Sequence, residues 1–174
     1  MNHTLSLKGK YHIECWEDAT KKRLLWSQDI ENKITNQGLD QLNNEVFYTT
    51  AKLSNAWYLA LVNTDTTAAA TMTYATPVYT ESTSIAARPA WGSGASSSMV
   101  VTNASAAVFT NTGTTETIYG ISLVGANAAG VTTPGDKAAT GGTLFSYGKL
   151  GTAQPWVSGN IINVTYSVTS ASTT

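Results

Sequence analysis

Cysteine is all but missing. Cys15 stands alone among 174 residues, which excludes an intrachain disulfide framework and any cysteine-based metal site. Histidine is nearly as scarce. His3 and His12 are the two imidazoles, and no His-x-Glu, Cys-x-x-Cys or paired ligand spacing surrounds either, so no metal site is expected. No apolar run approaches the length that spans a bilayer, so no membrane partner is expected. The opening MNHTLSLKGKYHIECW lacks the apolar core and small-residue cleavage site of a secretory signal. The expectation is a chain made in a cytoplasm that stays there or leaves inside something assembled there.

Charge is short over most of the length. Fourteen of the twenty-one charged residues lie at or before Lys52, leaving Asp65, Glu81, Arg88, Glu116, Asp136, Lys137 and Lys149 beyond it. The last two thirds thus offers an uncharged Thr/Ser/Ala/Gly surface with little repulsion toward neighbours, as suits a subunit of an assembly. No basic patch with interleaved aromatics exists, which argues against nucleic acid, and Lys21-Lys22-Arg23 reads as a solvated turn.

What is present is alternation. Leu5, Leu7, Tyr11, Ile13 and Cys15 alternate with Ser6, Lys8, Lys10, His12 and Glu14, predicting a strand over 5–16 with one wet face. After a polar connection, Leu24, Trp26, Ile30 and Ile34 fall on one parity, completing a charged hairpin over 5–34. Thr35 and Asn36 offer N-cap side chains, and Leu39, Leu42 and Val46 recur at helical spacing, predicting one short helix over 36–47 at one end of the domain. Gly38 and the asparagines at 43 and 44 weaken that helix. WYLALV at 57–62 is apolar on both parities, the pattern of a central strand covered on both sides.

Two long surface loops follow the punctuation of Gly, Ser and Pro, near 63–98 and 125–142, the first with a possible strand around Met72 to Tyr79. Short strands are predicted at Met99 to Asn103 and Ala107 to Phe109. Glu116 to Val124 places Tyr119, Ile121 and Leu123 opposite Ile118, Gly120 and Ser122. The chain ends on two extended runs joined by a Pro155-containing turn, with Ile162, Val164, Tyr166 and Val168 on the apolar face of the last. The sum is an all-β chain: a single domain over 1–174, a two-layer β-sandwich of jelly-roll-like spacing with one short helix.

Reaction chemistry has few candidates. Past the first third, Asp65, Glu81, Glu116 and Asp136 are the carboxylates, each in a turn or at a strand edge rather than paired across a groove as glycoside hydrolysis requires. Gly92-Ser93-Gly94 and Gly141-Gly142 lack the flanking of a phosphate loop, and no Gly-x-Ser-x-Gly elbow occurs. No catalytic residue and no cofactor is therefore assigned. Trp91 in ARPAWGSG and Trp156 in AQPWVSG sit in Pro/Gly-rich stretches and are the candidate partner-binding residues, able to stack on a sugar or plug into a protein. The competing reading folds each back as a lid on the sandwich end. Trp16, Trp26 and Trp57 read as core. Asn2-His3-Thr4, Asn103-Ala104-Ser105 and Asn163-Val164-Thr165 match the glycosylation pattern, which Thr/Ser-rich chains produce by chance.

The stretches GKYHIECWEDATKKRLLWSQDIENKITNQGLDQL, AWYLALV, ETIYGISLVG and GTLFSYGKLGTAQPWVSGNIINVTYSVT together resemble small structural proteins of tailed bacteriophages. The resemblance covers most of the chain and is carried by Asn32, Ile34, Thr35, Gly38, Leu39, Leu42, Trp57, Tyr58, Gly159, Val164, Thr165 and Tyr166. Asn160 stands where that pattern often has Asp. The resemblance implies a virion protein synthesised in a bacterial cytoplasm, without enzymatic activity. In the first reading it is a capsid decoration or cement protein whose partner is the major capsid protein. In the alternative it is a tail or fibre accessory protein that binds tail proteins or a host glycan. A carbohydrate-active enzyme or its accessory module is the third class. Self-association is expected because sandwich edges must be covered, with a trimer as the guess.

Overall fold

The computed structural model describes residues 4–48 and 57–173. Strand β1 (Thr4–Trp16) turns back into β2 (Leu24–Glu31), with Lys10 opposite Glu31 and Trp16 opposite Leu24. Tyr11, Ile13 and Cys15 are buried as their parity predicts. The predicted second arm of the hairpin does not run unbroken to Ile34. At Asn32 the chain leaves its sheet, and β3 (Lys33–Ile34) pairs elsewhere. The break is held by Asn32, whose amide donates to the Gly9 carbonyl at 3.1 Å and whose side-chain NH2 donates to Tyr166 Oη at 2.7 Å. Gly9 permits this crossing, because a Cβ there would fall 2.4 Å from Tyr166 Oη.

Helix α1 (Asn36–Phe47) lies where the spacing predicts it. Thr35 caps it, its hydroxyl accepting from Gly38 N at 2.9 Å and donating to the Leu144 carbonyl. Gly38, the residue that weakens the helix on propensity, is the one that lets it dock. A Cβ at 38 would meet the Phe145 carbonyl at 2.4 Å, so the helix rests backbone-close on the strand beneath.

The remaining strands are β4 (Trp57–Val62), β5 (Val100–Thr102), β6 (Ala107–Thr110), β7 (Glu116–Gly125), β8 (Thr143–Trp156) and β9 (Ile161–Thr173). They form two antiparallel sheets. The front sheet runs β2-β1-β9-β5, with β6 also on β9; the back sheet runs β3-β8-β7-β4. The nested pairs β1·β9, β3·β8 and β4·β7 give the chain the winding of a rolled hairpin. Between the sheets lies a core that includes Tyr11, Ile13, Leu59, Leu61, Phe109, Ile121, Ile162 and Tyr166. Tyr11 and Tyr166 stack at 4.1 Å between ring centroids. Both hydroxyls meet Ser146 of the back sheet, at 2.7 and 3.2 Å, so the buried polar tips are satisfied across the layers.

Three departures from expectation follow, and in the first two irregular chain does the work of strands. First, β4 is an edge strand, not a central one. The segment before Trp91 runs along its free side, with Ser82 N donating to Leu61 O, Leu59 N to Pro89 O and Trp91 N to Trp57 O at 2.7–2.9 Å. Second, residues 63–98 are not merely a surface excursion, and no strand forms over 72–79. Met72, Tyr74 and Tyr79 are buried with Val62, Val124, Val131, Leu144 and Tyr147 on the outer face of the back sheet, which explains why WYLALV is apolar on both parities. Third, the β7·β8 register breaks at Tyr119: Ile118 faces Gln154 and Gly120 faces Lys149, so the surplus residues, 150–153, lie on β8. Across the break Ile118 falls on the same face as Ile121 and Leu123, all buried, and Tyr119 is left half-buried.

The covering loops are pinned by one buried ion pair. Arg88 donates from Nε and Nη2 to both oxygens of Glu81, at 2.8 and 2.6 Å, with both side chains about as buried as core residues, 2% and 3% exposed. Arg88 also reaches Tyr74 Oη, the Val131 carbonyl and the Asp136 carbonyl, and Gly135 N donates to Glu81 at 2.9 Å. Loop 63–98 is thereby tied to loop 125–142. Burial works against the charge on Arg88, but its bonds to Glu81 and Tyr74 outweigh that and hold its pKa above the ordinary value. Burial pushes Tyr74 up to about 12.

Candidate partner-binding site

The two loop tryptophans part company in the structure. Trp156 is no loop residue. It closes β8, is 0% exposed, and donates from its ring N–H to the Asn160 carbonyl at 3.1 Å. It belongs to the core and presents no surface to a partner. The Pro155 that suggested a turn is a strand residue: its carbonyl accepts from Trp26 Nε1 at 3.1 Å, so its missing N–H would have pointed to the open side of β8, where no ladder partner is lost. The turn itself comes later, with Gly159 at φ +87°. Trp16, Trp26 and Trp57, the expected core residues, are each half-buried.

Trp91 does reach a surface. Its ring N–H donates to Asn103 Oδ1 at 2.9 Å and to the Tyr166 carbonyl at 3.1 Å, and its ring meets Tyr166 edge-on at 5.6 Å. Asn103 is what makes this place. β5 pairs with β9 from Ser167 to Thr169 and β6 pairs with it from Ile161 to Val164; in the gap, the Asn103 side chain stands in for a peptide. It accepts from Tyr166 N at 2.7 Å and donates to the Val164 carbonyl at 3.0 Å. This use of the buried amide also removes Asn103 as an accessible glycan acceptor, and Asn163 is buried as well.

Trp57 stands opposite. It packs edge-on against Phe145 at 5.3 Å between centroids. Together Trp57, Trp91, Val101, Leu123, Phe145 and Val168 line a cleft of about 170 Å³ between the sheets, beneath Leu42 and Glu45 of α1. Its walls are apolar apart from Glu45. The helix that overhangs it ends in exposed Val46, Phe47 and Tyr48, Phe47 being 81% exposed. The helical spacing of Leu39, Leu42 and Val46 was thus only partly a docking face: Gly38 and Gln41 are buried, while Leu39 and Val46 face outward.

Chemistry elsewhere is sparse. Cys15 is buried, and burial pushes its thiol up to about 12, which makes it inert as a nucleophile. His12 lies exposed between Asp29 at 2.6 Å and Glu14 at 3.4 Å, and the bond to Asp29 raises its pKa. Among the described residues, no three His, Cys, Asp or Glu side chains converge as a metal site, and no helix is long and apolar enough to cross a membrane. The site's one chemical capability is apolar contact: a small cleft with two indole walls and an aromatic-tipped helix.

Compared with known proteins, the chain matches no family model and no curated protein.

Proposed function

We propose that the chain is a non-enzymatic structural subunit of a tailed-phage virion, a decoration or cement protein that seats on the outside of the head and stabilises it. The observation that carries this reading is the apolar cleft walled by Trp57 and Trp91, with exposed Val46, Phe47 and Tyr48 on the overhanging helix. Aromatic side chains around a small apolar recess are the make-up of a protein-docking hot spot. The occupant in this reading is an apolar side chain of a coat subunit. The uncharged surface beyond Lys52 and the resemblance of the ITNQGL and VTYSVT motifs to phage structural proteins support it. The mechanism is mechanical: many equivalent contacts each hold the assembled shell by mass action.

The test is copy number in purified virions by quantitative mass spectrometry, referenced to the coat protein. Hundreds of copies in simple ratio to the coat is the expected result, with Phe47→Asp lowering occupancy and the rupture temperature of packaged heads. About three to eighteen copies would move the protein to the tail, where axial symmetry limits the count; Trp91 would then be the residue to test on a glycan array. Absence from the virion would overturn the reading.

A further inference from the structure

The indoles of Trp57 and Trp91 are neighbours by construction. Tyr58 bridges Ala90 in antiparallel register, and one residue further along Trp91 N donates to Trp57 O at 2.7 Å. Opposed residues on antiparallel chain share a face, so both rings come to the same side. Phe145 supplies a third ring, edge-on to Trp57. Val101 and Val168, paired across β5 and β9, line the cleft with them. The walls are set before anything enters. Trp91 commits its ring N–H to Asn103 and to the Tyr166 carbonyl, so this ring offers the cleft carbon and π-electrons. Among the described residues that line the cleft, Glu45 is the one that carries charge, and the charge is negative. Its Oε1 accepts from Gln41 Nε2, one helical turn back, at 2.9 Å.

We propose that this cleft is a cage for a small quaternary ammonium cation, of which choline is a simple case. Aromatic faces are electron-rich, and several rings around one space attract a bulky, weakly hydrated cation. The carboxylate at the mouth attracts the same charge. Rings and carboxylate together disfavour three other occupants. A neutral hydrocarbon would use the rings and gain nothing from Glu45. A compact, strongly hydrated ammonium, such as a lysine head, would leave its hydrogen bonds unmade against carbon walls. A zwitterion such as phosphocholine would bring a negative group that Glu45 repels, with no basic side chain in the lining to receive it. Size agrees as well. The cleft of about 170 Å³ is close to the roughly 150 Å³ apolar cavity that accepts a benzene ring, and a trimethylammonium head is of similar bulk. Walls already in place need little ordering, which favours binding. The cage is a property of the free chain and is independent of the virion reading; a coat side chain seated in the same cleft would exclude the cation.

The test uses the full chain in solution, with choline chloride as the probe. Saturation-transfer NMR should carry magnetisation from the protein to the choline methyl protons. Titration should give a Kd about ten-fold or more below that of the neutral alcohol with carbon in place of the choline nitrogen, since one desolvated cation–π contact is worth about that ratio. Phosphocholine should bind more weakly than choline. Glu45→Gln should weaken choline several-fold and leave the neutral alcohol unchanged, a split that damage to the fold would not produce. Trp57→Leu keeps an apolar wall and should weaken choline about ten-fold, with the circular dichroism melt as the check on folding. Equal affinity for choline and the neutral alcohol overturns the proposal and leaves a plain apolar cleft. A choline response no larger than that of sodium chloride also overturns it, as does phosphocholine binding as tightly as choline. Choline affinity unchanged in both Glu45→Gln and Trp57→Leu would overturn it too, by placing the cation elsewhere on the chain.

Discussion

The front sheet is held by ladders, β1 against β9 rung for rung over the whole of β1, whereas the outer face of the back sheet is covered by chain that forms almost no ladder and is pinned by side chains. There Arg88 and Glu81 join the two loops, Tyr79 donates to Ser122 Oγ at 2.7 Å, and Tyr147 donates to the Thr66 carbonyl at 3.0 Å. A ladder spreads stabilisation over many weak, equivalent bonds. A pinned cover concentrates it in a few buried polar groups, each of which is costly to orphan. The contrast is therefore one of fragility as much as of shape.

Breaking the hub should give the largest effect. Arg88→Met leaves Glu81 buried without its partner and should cost about 3–5 kcal/mol in denaturant unfolding, while Arg88→Met with Glu81→Leu should recover a large part of that. A single-variant loss no greater than that of a surface pair would mean that the cover is not held as described. Next is Asn103→Ala, which applies the same logic within the front sheet by removing a side chain that substitutes for a rung. It orphans the Tyr166 N–H and the Val164 carbonyl, for about 1–3 kcal/mol, and loosens Trp91, which should appear as a shift in tryptophan emission. Thr35→Ala removes the cap of α1 and should cost about 1 kcal/mol.

The smallest effect belongs to His12 on the wet face. Its folded pKa is raised from the ordinary 6.5, chiefly by Asp29, so its stabilisation is full below that ordinary value and is lost as pH rises through the folded one. The melting temperature of the native chain minus that of His12→Gln should fall from about pH 5 to about pH 8. A flat difference would show that the exposed pair contributes nothing.

The same contrast decides what could be read from sequence. β1 announces itself because one face is wet and the other dry, and β9 keeps the same alternation in its residues although Ile161 and Asn163 on its second face are buried too. α1 is legible from Thr35 and the Leu spacing, although its closest contact is made by Gly38, which propensity counts against it. The back sheet hides its order: β4 looks central because loop residues cover the face and edge that strands would otherwise cover. A register break at Tyr119, with its surplus residues on β8, shifts parity by one without leaving a compositional mark. Trp91 could be singled out from its loop setting, but Trp57, its opposite wall, was masked by an apolar run that reads as core. Trp156 was misjudged because Pro155 signals a turn wherever its missing N–H matters, and here it does not. Asn160 offers a finer lesson. Its side-chain NH2 donates to the Glu17 carbonyl at 2.9 Å, tying the last turn to the first, a bond that the Asp common in the resembling pattern could not make.

The central place of β9 also bears on how the chain acquires its structure. β1, β5 and β6 all wait for this strand, and it lies at the far end of the sequence from β1. Closing so long a loop comes before the pairing that rewards it, so refolding should run on the order of milliseconds to seconds rather than faster. A nascent chain that has not yet emitted Ile161–Thr173 holds β1 with the edge that β9 pairs left open, which makes this the interval in which a growing chain most needs protection from its neighbours.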